Sequence, residues 1–248
     1  MNLMDYIIDF HVSAKRQGPG STEDTLKALG YLPQMTDKAT ILDIGSGTGE
    51  QTFTLAEHSP ANIVAVDMLL NFLDELVTRR NVLGLENRIK TVEADMDNLD
   101  FPEESFDVIW SEGAIYNIGF KRGLTEWRRY LKDNGYIVVS EISWTTDERP
   151  AEIESYWIEA YSEIDTMEEK LKVIRNSGYE PITHFELSEE AWLENYYNPM
   201  EERIESFLQK YNNSEDVKTF INLVHEEIEV YKQYHEYFNY VFYIAKKI

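Results

Sequence analysis

The sequence predicts an α/β fold in which one mostly parallel sheet carries helices on both faces. Short apolar segments of strand length alternate with amphipathic helical segments along most of the chain, and this alternation is typical of βαβ units. A glycine-rich turn follows the first apolar segment and leads into a helical pattern. The length of 248 residues suits one such domain with additions, so two large independent domains are not expected.

The chain begins with a helical preface, which we assign to residues 1–38. Ser21, with Asp24 three residues later, has the pattern of a helix N-terminal cap. A leucine stripe follows, and Gly30 together with Pro33 marks the end of this helix. The sheet is therefore expected to be preceded by N-terminal helices.

The core is expected over residues 39–187. A helix is predicted directly after the glycine-rich turn, at residues 50–58, and a later helix at residues 167–176. A further strand is expected at residues 181–187. Five parallel strands are predicted at residues 39–44, 62–67, 89–93, 106–111 and 136–141.

The last part of the chain divides into a cap and a final strand. Residues 188–235 are rich in Glu, Trp, Tyr and Phe and patterned as helices, and the segment is too long for a simple turn. We therefore expect a helical cap inserted before the last strand. Residues 236–248 contain a run of aromatic and β-branched side chains that suits a buried strand. The predicted sheet is seven-stranded.

The composition is strongly acidic and free of cysteine. There are 23 Lys and Arg residues against 46 Asp and Glu residues, which gives a formal net charge of −23. Such a surface repels phosphate backbones and anionic membranes, so nucleic acids and membranes are not expected as partners. Without cysteine there is no disulfide, thiolate metal site or cysteine nucleophile. The five histidines have no metal-binding spacing, so no metal site is expected.

The same sequence predicts a soluble, cytoplasmic protein. No run of about 18 apolar residues is present to span a bilayer. The first ten residues carry two aspartates and lack the basic start and cleavage site of a secretory signal.

The glycine-rich turn is the strongest functional signal. Gly45, Gly47 and Gly49 follow an apolar strand and open a helix. Glycine is needed there because a residue without a β-carbon accepts the turn and lets a ligand lie against the backbone. Asp67 ends the next strand, where dinucleotide-binding folds place the acid that holds the ribose hydroxyls.

Two residues argue against a ligand with a pyrophosphate. The dinucleotide fingerprint would place its third glycine at position 50, which is Glu50. Asp43, two residues before the first glycine, would put a carboxylate near the pyrophosphate. S-adenosylmethionine suits the site better, because it carries an ammonium, a sulfonium and a ribose but no phosphate. Asp67 is then expected to accept from the ribose hydroxyls, and Asp95 from the adenine amino group.

Several motifs in sequence order resemble those of class I S-adenosylmethionine-dependent methyltransferases. Residues 41–49 resemble the first motif, residues 67–68 the second, residues 94–96 the third, and residues 106–111 the fourth strand. This resemblance covers residues 39–141 and implies a Rossmann-like methyltransferase fold.

Within this class, the sequence is similar to the small-molecule branch, which includes ubiquinone, menaquinone, glycine and sarcosine methyltransferases. Residues 101–107 carry this similarity. Residues 17–21 also resemble a preface motif of bacterial members, in which the N-terminal segment folds over the cofactor. Together with the glycine-turn argument, the resemblance implies these cofactor contacts: Gln17, Gly18, Asp43, Gly45, Ser46, Gly47, Asp67, Met68, Asp95, Met96 and Ser111.

The loop after the fourth strand bears on the methyl acceptor. Residues 111–116 read Ser-Glu-Gly-Ala-Ile-Tyr, so the Asn-Pro-Pro-Tyr type motif of amino-methylating DNA enzymes is absent. Cytosine C5 methylation needs a cysteine, and protein arginine methyltransferases carry paired glutamates where only Glu112 occurs. A small-molecule acceptor is therefore expected. No catalytic residue is assigned, and a base stays open among Glu112, Tyr116, Glu141 and His11.

Two other functions stay open, a nicotinamide-dependent oxidoreductase and a cofactor-binding module that has lost its acceptor site. Aromatic residues of the cap recur at helical spacing and are expected to form core or homodimer contacts, with an aromatic pocket over the acceptor as the alternative. We expect the preface and the cap to close over cofactor and acceptor, because the sheet alone would leave the site open to water.

Overall fold

The computed structural model describes residues 3–248, so the first two residues of the predicted preface lie outside the described part. The helices are α1 (Leu3–His11), α2 (Thr22–Leu29), α3 (Glu50–His58), α4 (Leu70–Val82), α5 (Phe120–Trp127), α6 (Ala151–Ala160), α7 (Met167–Asn176), α8 (Glu189–Trp192), α9 (Asn198–Lys210) and α10 (Glu215–Tyr234). The strands are β1 (Thr40–Ile44), β2 (Asn62–Asp67), β3 (Ile89–Glu93), β4 (Phe106–Ser111), β5 (Leu131–Trp144), β6 (Asp165–Thr166), β7 (Tyr179–Glu186) and β8 (Phe238–Lys247).

The strands form one sheet in the order β3-β2-β1-β4-β5-β8-β7. Strands β1 to β5 run parallel to one another, and β8 lies antiparallel between β5 and β7. Parallel neighbours need crossover connections, and the helices between these strands supply them. The predicted Rossmann-like, mostly parallel fold is confirmed.

The sheet has eight strands rather than the predicted seven. The additional strand β6 has two residues and pairs with Ser143 and Trp144 at the end of β5. A two-residue strand has no periodicity, so its sequence cannot predict it. Strand β5 also extends beyond both ends of the predicted segment 136–141, because Leu131 pairs with Phe106 of β4 at its amino end and β8 pairs with it up to Trp144 at its carboxyl end.

Most other predicted bounds agree with the structure. Strands β2, β3 and β4 and helices α3 and α7 begin and end at the predicted residues. Ser21 caps α2, since its side chain accepts from the backbone nitrogen of Asp24. Helix α6 is missing from the prediction, because Ile153 is its one fully buried side chain and no apolar stripe stands out.

The preface and the cap pack against each other. Phe10 of α1 lies edge-on to Phe207 of α9 and Phe220 of α10, with ring centroids 5.0 and 5.4 Å apart. Within the cap, Trp192 stacks on Tyr231 at 4.7 Å. Such aromatic pairs contribute about 0.5–1.5 kcal/mol each beyond the burial of their surface. These aromatics are therefore core contacts that join both additions to the domain.

Candidate active site

The glycine loop, residues 45–49, lies where the strand order reverses. Strand β1 has β2 on one side and β4 on the other, so the connections diverge and open a crevice at the carboxyl ends. Gly45, Gly47 and Gly49 have φ values of +75°, +54° and +93°. A β-carbon on Gly45 would also lie 2.4 Å from the β-carbon of Ala114. Side chains at these positions would be strained, and the loop leaves its backbone accessible to a ligand.

Asp43 holds the strand before the glycine loop to helix α3. It is fully buried, and its carboxylate accepts hydrogen bonds from Thr52 Oγ1 at 2.5 Å and Gln51 Nε2 at 3.4 Å. Burial raises the pKa of Asp43 to about 7, although the Thr52 hydrogen bond lowers it. The side chain therefore joins β1 to α3, and its direct contact with a ligand stays a prediction.

Asp67 ends β2 beside the glycine loop. Its Oδ2 accepts from the Gly47 nitrogen at 2.8 Å, and its Oδ1 accepts from the Leu69 nitrogen at 2.9 Å. Burial raises the pKa of Asp67, and these backbone hydrogen bonds lower it. Each oxygen keeps acceptor capacity, because a carboxylate offers about four lone-pair positions. The geometry suits a carboxylate that accepts from two neighbouring hydroxyls.

The residues predicted to lie beside adenine follow the same sheet edge. Met68 is 62% exposed directly after β2, and Asp95 is exposed after β3. The Oδ1 atom of Asp95 accepts from the Asp97 nitrogen at 2.9 Å. Met96 reaches back to the glycine loop, where its Cε would be 3.7 Å from a β-carbon on Gly45. Methionines offer a polarizable apolar surface to a flat ring.

Gln17 docks the preface onto the glycine loop. Its Oε1 accepts from the Thr48 nitrogen at 2.9 Å, and its Nε2 donates to Thr48 Oγ1 and to the carbonyl oxygen of Ala14, both at 3.1 Å. A β-carbon on Gly47 would lie 2.1 Å from Gln17 Oε1. A β-carbon on Gly18 would meet nothing within 4 Å. Gly47 therefore leaves room for the preface, and Gly18 borders open space.

A buried ion pair ties the preface to the loop after β4. Arg16 Nη1 lies 2.9 Å from Glu112 Oε2, and the two side chains are 7% and 5% exposed. The other oxygen of Glu112 accepts from Thr25 Oγ1 at 2.8 Å and Trp110 Nε1 at 2.9 Å. Both oxygens of Glu112 are thus occupied, which makes it an anchor rather than a free base.

The two serines predicted at the site occupy different roles. Ser111 is fully buried and donates to the carbonyl oxygen of Ile44 at 2.9 Å, which joins the ends of β4 and β1. The hydroxyl of Ser46 is buried and has no partner. A buried polar group without a hydrogen-bond partner lowers the stability of the folded state by about 1–3 kcal/mol. Ser46 therefore has hydrogen-bonding capacity that a ligand at the loop would use.

The other candidate bases differ in protonation and in partners. Burial raises the pKa of Tyr116 and lowers that of His11 to about 4, so at neutral pH Tyr116 keeps its proton and His11 is uncharged. Glu141 is fully buried, and its Oε1 accepts from Lys170 Nζ at 2.5 Å and Tyr161 Oη at 2.7 Å. Its Oε2 is buried without a donor.

Sequence reasoning missed several residues that hold these groups. Arg16 and Thr48 each adjoin a predicted site residue, and that position next to a motif is the signal that could have found them. Lys170 on α7 and Glu227 on α10 belong to helices without a motif. Their importance follows from contacts between distant parts of the chain, which no local pattern encodes.

Other features of the described chain lie outside this region. Residues 3–248 contain no group of three metal-ligating side chains, and no helix among them combines the length and apolarity needed to cross a membrane. Two grooves of about 450 and 290 Å³ lie between α3 and α4 and at the amino ends of β1 and β4. None of the predicted cofactor residues lines either groove.

Comparison with known proteins agrees with this geometry. Residues 42–139 match a family model described as a methyltransferase domain. This segment contains the glycine loop, Asp67 and the loop after β4. Over this segment, which is less than half of the chain, the protein is similar to methyltransferase domains.

Proteins with a similar sequence include enzymes named for small molecules. A demethylmenaquinone methyltransferase from Clavibacter sepedonicus is 38% identical over 104 residues, which are 42% of this chain and 41% of that protein. Phosphoethanolamine N-methyltransferase 1 from Arabidopsis thaliana is 25% identical over 140 residues, 56% of this chain and 28% of that protein. The chain thus spans less than half the length of these curated relatives.

One solved structure is similar over the whole methyltransferase fold, additions included. It is a SAM-dependent methyltransferase from Geobacter sulfurreducens in complex with S-adenosyl-L-homocysteine, with a TM-score of 0.84 at 18% identity. The likeness covers 98% of each chain, so the preface and the cap belong to the shared fold.

Proposed function

We propose that the protein is an enzyme that binds S-adenosylmethionine at the glycine loop and transfers its methyl group to a small-molecule acceptor. The observation that carries this proposal is the position of Asp67, which touches the Gly47 nitrogen and keeps acceptor capacity at the point where the strand order reverses. The unpaired hydroxyl of Ser46 lies in the same loop. Both features suit a ligand with hydroxyl and ammonium groups.

The methionine end of the cofactor would lie against the glycine loop, where Gly45, Ser46 and Gly47 present backbone and hydroxyl groups. Gln17 and Gly18 of the preface would cover it from above. An ammonium and a sulfonium are both stabilised by the acidic surroundings of this loop.

The nucleoside end would extend along the carboxyl ends of β2 and β3. Asp67 would accept from the ribose hydroxyls, and Asp95 from the adenine amino group, with Met68 and Met96 against the ring. Asp43 and Ser111 would hold the glycine loop in place rather than contact the cofactor, since their side chains form hydrogen bonds with protein groups.

When bound, S-adenosylmethionine supplies an electrophilic methyl carbon on a sulfonium. The protein's task is to hold the acceptor in line and to exclude water, and such positioning is worth about 7–11 kcal/mol. The Gln17 contacts and the Arg16–Glu112 ion pair hold the preface over the loop. The packing of Phe10 against Phe207 links the preface to the cap. This enclosure favours a small acceptor.

The nicotinamide alternative meets an electrostatic objection. A pyrophosphate at the start of α3 would approach the carboxylate of Glu50, which lies in the first turn of that helix. Arg79 is already paired with Glu50 at 2.6 Å, so its charge is not free to neutralise a phosphate. Repulsion between like charges therefore disfavours a dinucleotide at this loop.

Calorimetric titration with S-adenosylmethionine, S-adenosylhomocysteine and NADH tests the cofactor. We expect both adenosyl ligands to bind and NADH not to bind. Turnover of S-adenosylmethionine with a panel of metabolites then separates an enzyme from a cofactor-binding module. Binding of NADH alone, or cofactor binding without turnover on any metabolite, would contradict the proposal.

Amide hydrogen exchange with and without S-adenosylhomocysteine tests closure by the preface and cap. Protection should rise at residues 17–21 as well as at residues 45–49, because Gln17 already bonds to Thr48. A preface and a cap that both stay unprotected would instead indicate an open site and a large substrate. Action in the cytoplasm and assembly into a homodimer also stay predictions, which cell fractionation and sedimentation would test.

A further inference from the structure

Arg203 lies on the inward face of helix α9 and has no polar partner there. Met200, three residues before it, and Phe207, four residues after it, are both buried. This spacing places Arg203 on the same face of the helix, where it is half-buried. Within residues 3–248 no hydrogen bond or ion pair includes this arginine, and its Nε atom is buried without a partner. Its guanidinium lies over the ring of Phe10 at 5.1 Å.

The other buried or half-buried arginines of residues 3–248 all have polar partners. Each donates a hydrogen bond to a carboxylate or a carbonyl oxygen, and together they are Arg16, Arg79, Arg80, Arg88, Arg128 and Arg149. The chain has 46 acidic residues for 23 basic ones, so acidic partners are abundant. A partly buried charge without a partner is unfavourable, and an anion bound at Arg203 would remove that cost.

The side chain of His11 lies beside this arginine and also has no polar partner. The Phe10 ring, which Arg203 covers, is edge-on to the His11 ring at 5.3 Å. His11 is 9% exposed, and its Nδ1 is buried without a hydrogen bond. Burial and the charge of Arg203 lower the pKa of His11 to about 4, which agrees with this proximity. A neutral imidazole therefore lies next to an unpaired guanidinium.

These two side chains lie close to the proposed cofactor site. The carbonyl oxygen of His11 accepts from Gln17 Nε2 at 3.2 Å, and Gln17 Oε1 accepts from the Thr48 nitrogen at 2.9 Å. The His11 ring stacks on Tyr196 of the cap, with ring centroids 6.4 Å apart. One glutamine thus links the His11 backbone to the glycine loop. Arg203 and His11 lie where the preface meets the cap, next to the space that we propose for the cofactor and the acceptor.

The carboxylates near Arg203 leave its charge available. Asp9 of α1 is paired with a lysine of α9 at 2.7 Å. Glu227 of α10 accepts from Tyr197 Oη at 3.3 Å. Glu202, the residue before Arg203, is exposed. None of these three carboxylates forms an ion pair with Arg203, so its positive charge can act on a ligand.

We propose that Arg203 and His11 form an anion-binding subsite for the methyl acceptor, and that the acceptor carries a carboxylate or a phosphate group. This proposal rests on the proposed methyl transfer. A guanidinium can donate two parallel hydrogen bonds to either group, and a neutral imidazole can donate one more. The subsite binds the acceptor at its anionic end, so it selects acidic molecules and takes no part in bond formation at the methyl carbon.

Three probes that share a phenyl ring test the subsite without turnover. Benzoate, phenyl phosphate and benzyl alcohol are each titrated by calorimetry into the protein saturated with S-adenosylhomocysteine. We expect at least one anion to bind about tenfold or more tightly than the alcohol, because only the anions gain charge-assisted hydrogen bonds. The anion that binds more tightly identifies the group on the acceptor. Equal binding of benzyl alcohol, or no binding of either anion, would overturn the proposal.

Substitutions assign the binding to Arg203. Arg203→Gln removes the charge, so affinity for the preferred anion should fall about tenfold while affinity for benzyl alcohol stays unchanged. Arg175→Gln is the matched control, because Arg175 is an exposed arginine of α7 outside the subsite. Equal losses in the two variants would show general attraction to positive charge and would overturn the assignment.

A second variant tests the histidine. His11→Phe keeps a ring against Tyr196 and removes both nitrogens, so affinity for the anion should fall about threefold or more while S-adenosylhomocysteine still binds. This variant also decides the matter if Arg203→Gln loses S-adenosylhomocysteine, since full retention of anion binding in His11→Phe would then count against the subsite. Failure of the unaltered protein to bind S-adenosylhomocysteine would refute the proposed function instead.

Discussion

The two halves of the site are built in different ways. The cofactor half consists of a backbone turn and short side chains that directly follow β1, β2 and β3. The covering half consists of side chains from the preface, the loop after β4 and the cap, which are distant in sequence. Arg16 and Glu112, for example, are 96 residues apart and form an ion pair at 2.9 Å. Local motifs thus build the half that we propose for the cofactor, and non-local contacts build the half that covers it.

The largest expected effect comes from a substitution in the glycine loop, which belongs to the cofactor half. Gly47→Val would place a β-carbon 2.1 Å from Gln17 Oε1, at a residue with φ of +54°. The preface must then leave the loop, and we expect no measurable binding of S-adenosylhomocysteine by calorimetry. Gly30→Ala is the matched control, because its φ is −63° and its β-carbon has room. Wild-type affinity in Gly47→Val would show that the loop does not hold the cofactor.

The ion pair between the preface and the loop after β4 should matter for stability. Arg16→Leu leaves Glu112 as an uncompensated buried charge, which costs about 3–5 kcal/mol. Arg122→Leu is the control, since the Arg122–Asp97 pair is 55% and 41% exposed and such pairs contribute about 0–1 kcal/mol. Urea unfolding measures both variants. Equal losses would mean that the preface is not anchored through Glu112.

A smaller effect tests the ribose contact in the cofactor half. Asp67→Ala removes the acceptor for the Gly47 and Leu69 nitrogens and for two ribose hydroxyls. Hydrogen bonds to a charged group contribute about 1.5–3 kcal/mol, so the affinity for S-adenosylhomocysteine should fall tenfold or more. Asp100→Ala, exposed near the same edge, should change it little. A loss of less than about twofold in Asp67→Ala assigns the ribose to another residue.

The last expected effect concerns the pH dependence of stability. Burial raises the pKa of Asp43 from 3.8 to about 7. Between these values the unfolded chain has released a proton that the folded protein retains, so this group makes stability fall as pH rises through that window. Asp43→Asn should remove this part of the slope in denaturant unfolding between pH 4 and pH 8. Parallel curves for both proteins would show that Asp43 ionises normally in the folded state.

Most of the fold, and the candidate residues around the glycine loop, could be predicted from the sequence for one physical reason. Strand periodicity, the glycine turn and Asp67 are local features, and each can be recognised within a few residues of chain. Helix α6 and the two-residue β6 have weak patterns, so they were missed. Among the four candidate bases, only the structure distinguishes Glu112, which is anchored to Arg16, from Glu141, which keeps a free oxygen.

Glu227 illustrates the limit of local prediction. It lies on an amphipathic helix where a glutamate at a half-buried position resembles its exposed neighbours in sequence. Its distinction comes from Tyr196 and Tyr197, which one segment of the cap brings to it, and from Tyr116 in the loop after β4. The arrangement of the cap over the sheet therefore has to be known before this carboxylate can be interpreted.

The docking of Gln17 also has a kinetic consequence. The segment that bonds to Thr48 stands over the loop from which a spent cofactor must depart. In the proposed reaction, each cycle includes at least one undocking of this segment. Such loop motions commonly occur in microseconds to milliseconds and often limit turnover. The first turnover should accordingly be faster than the steady state, so mixing enzyme with saturating substrates would give a burst of product before the slower release rate takes over.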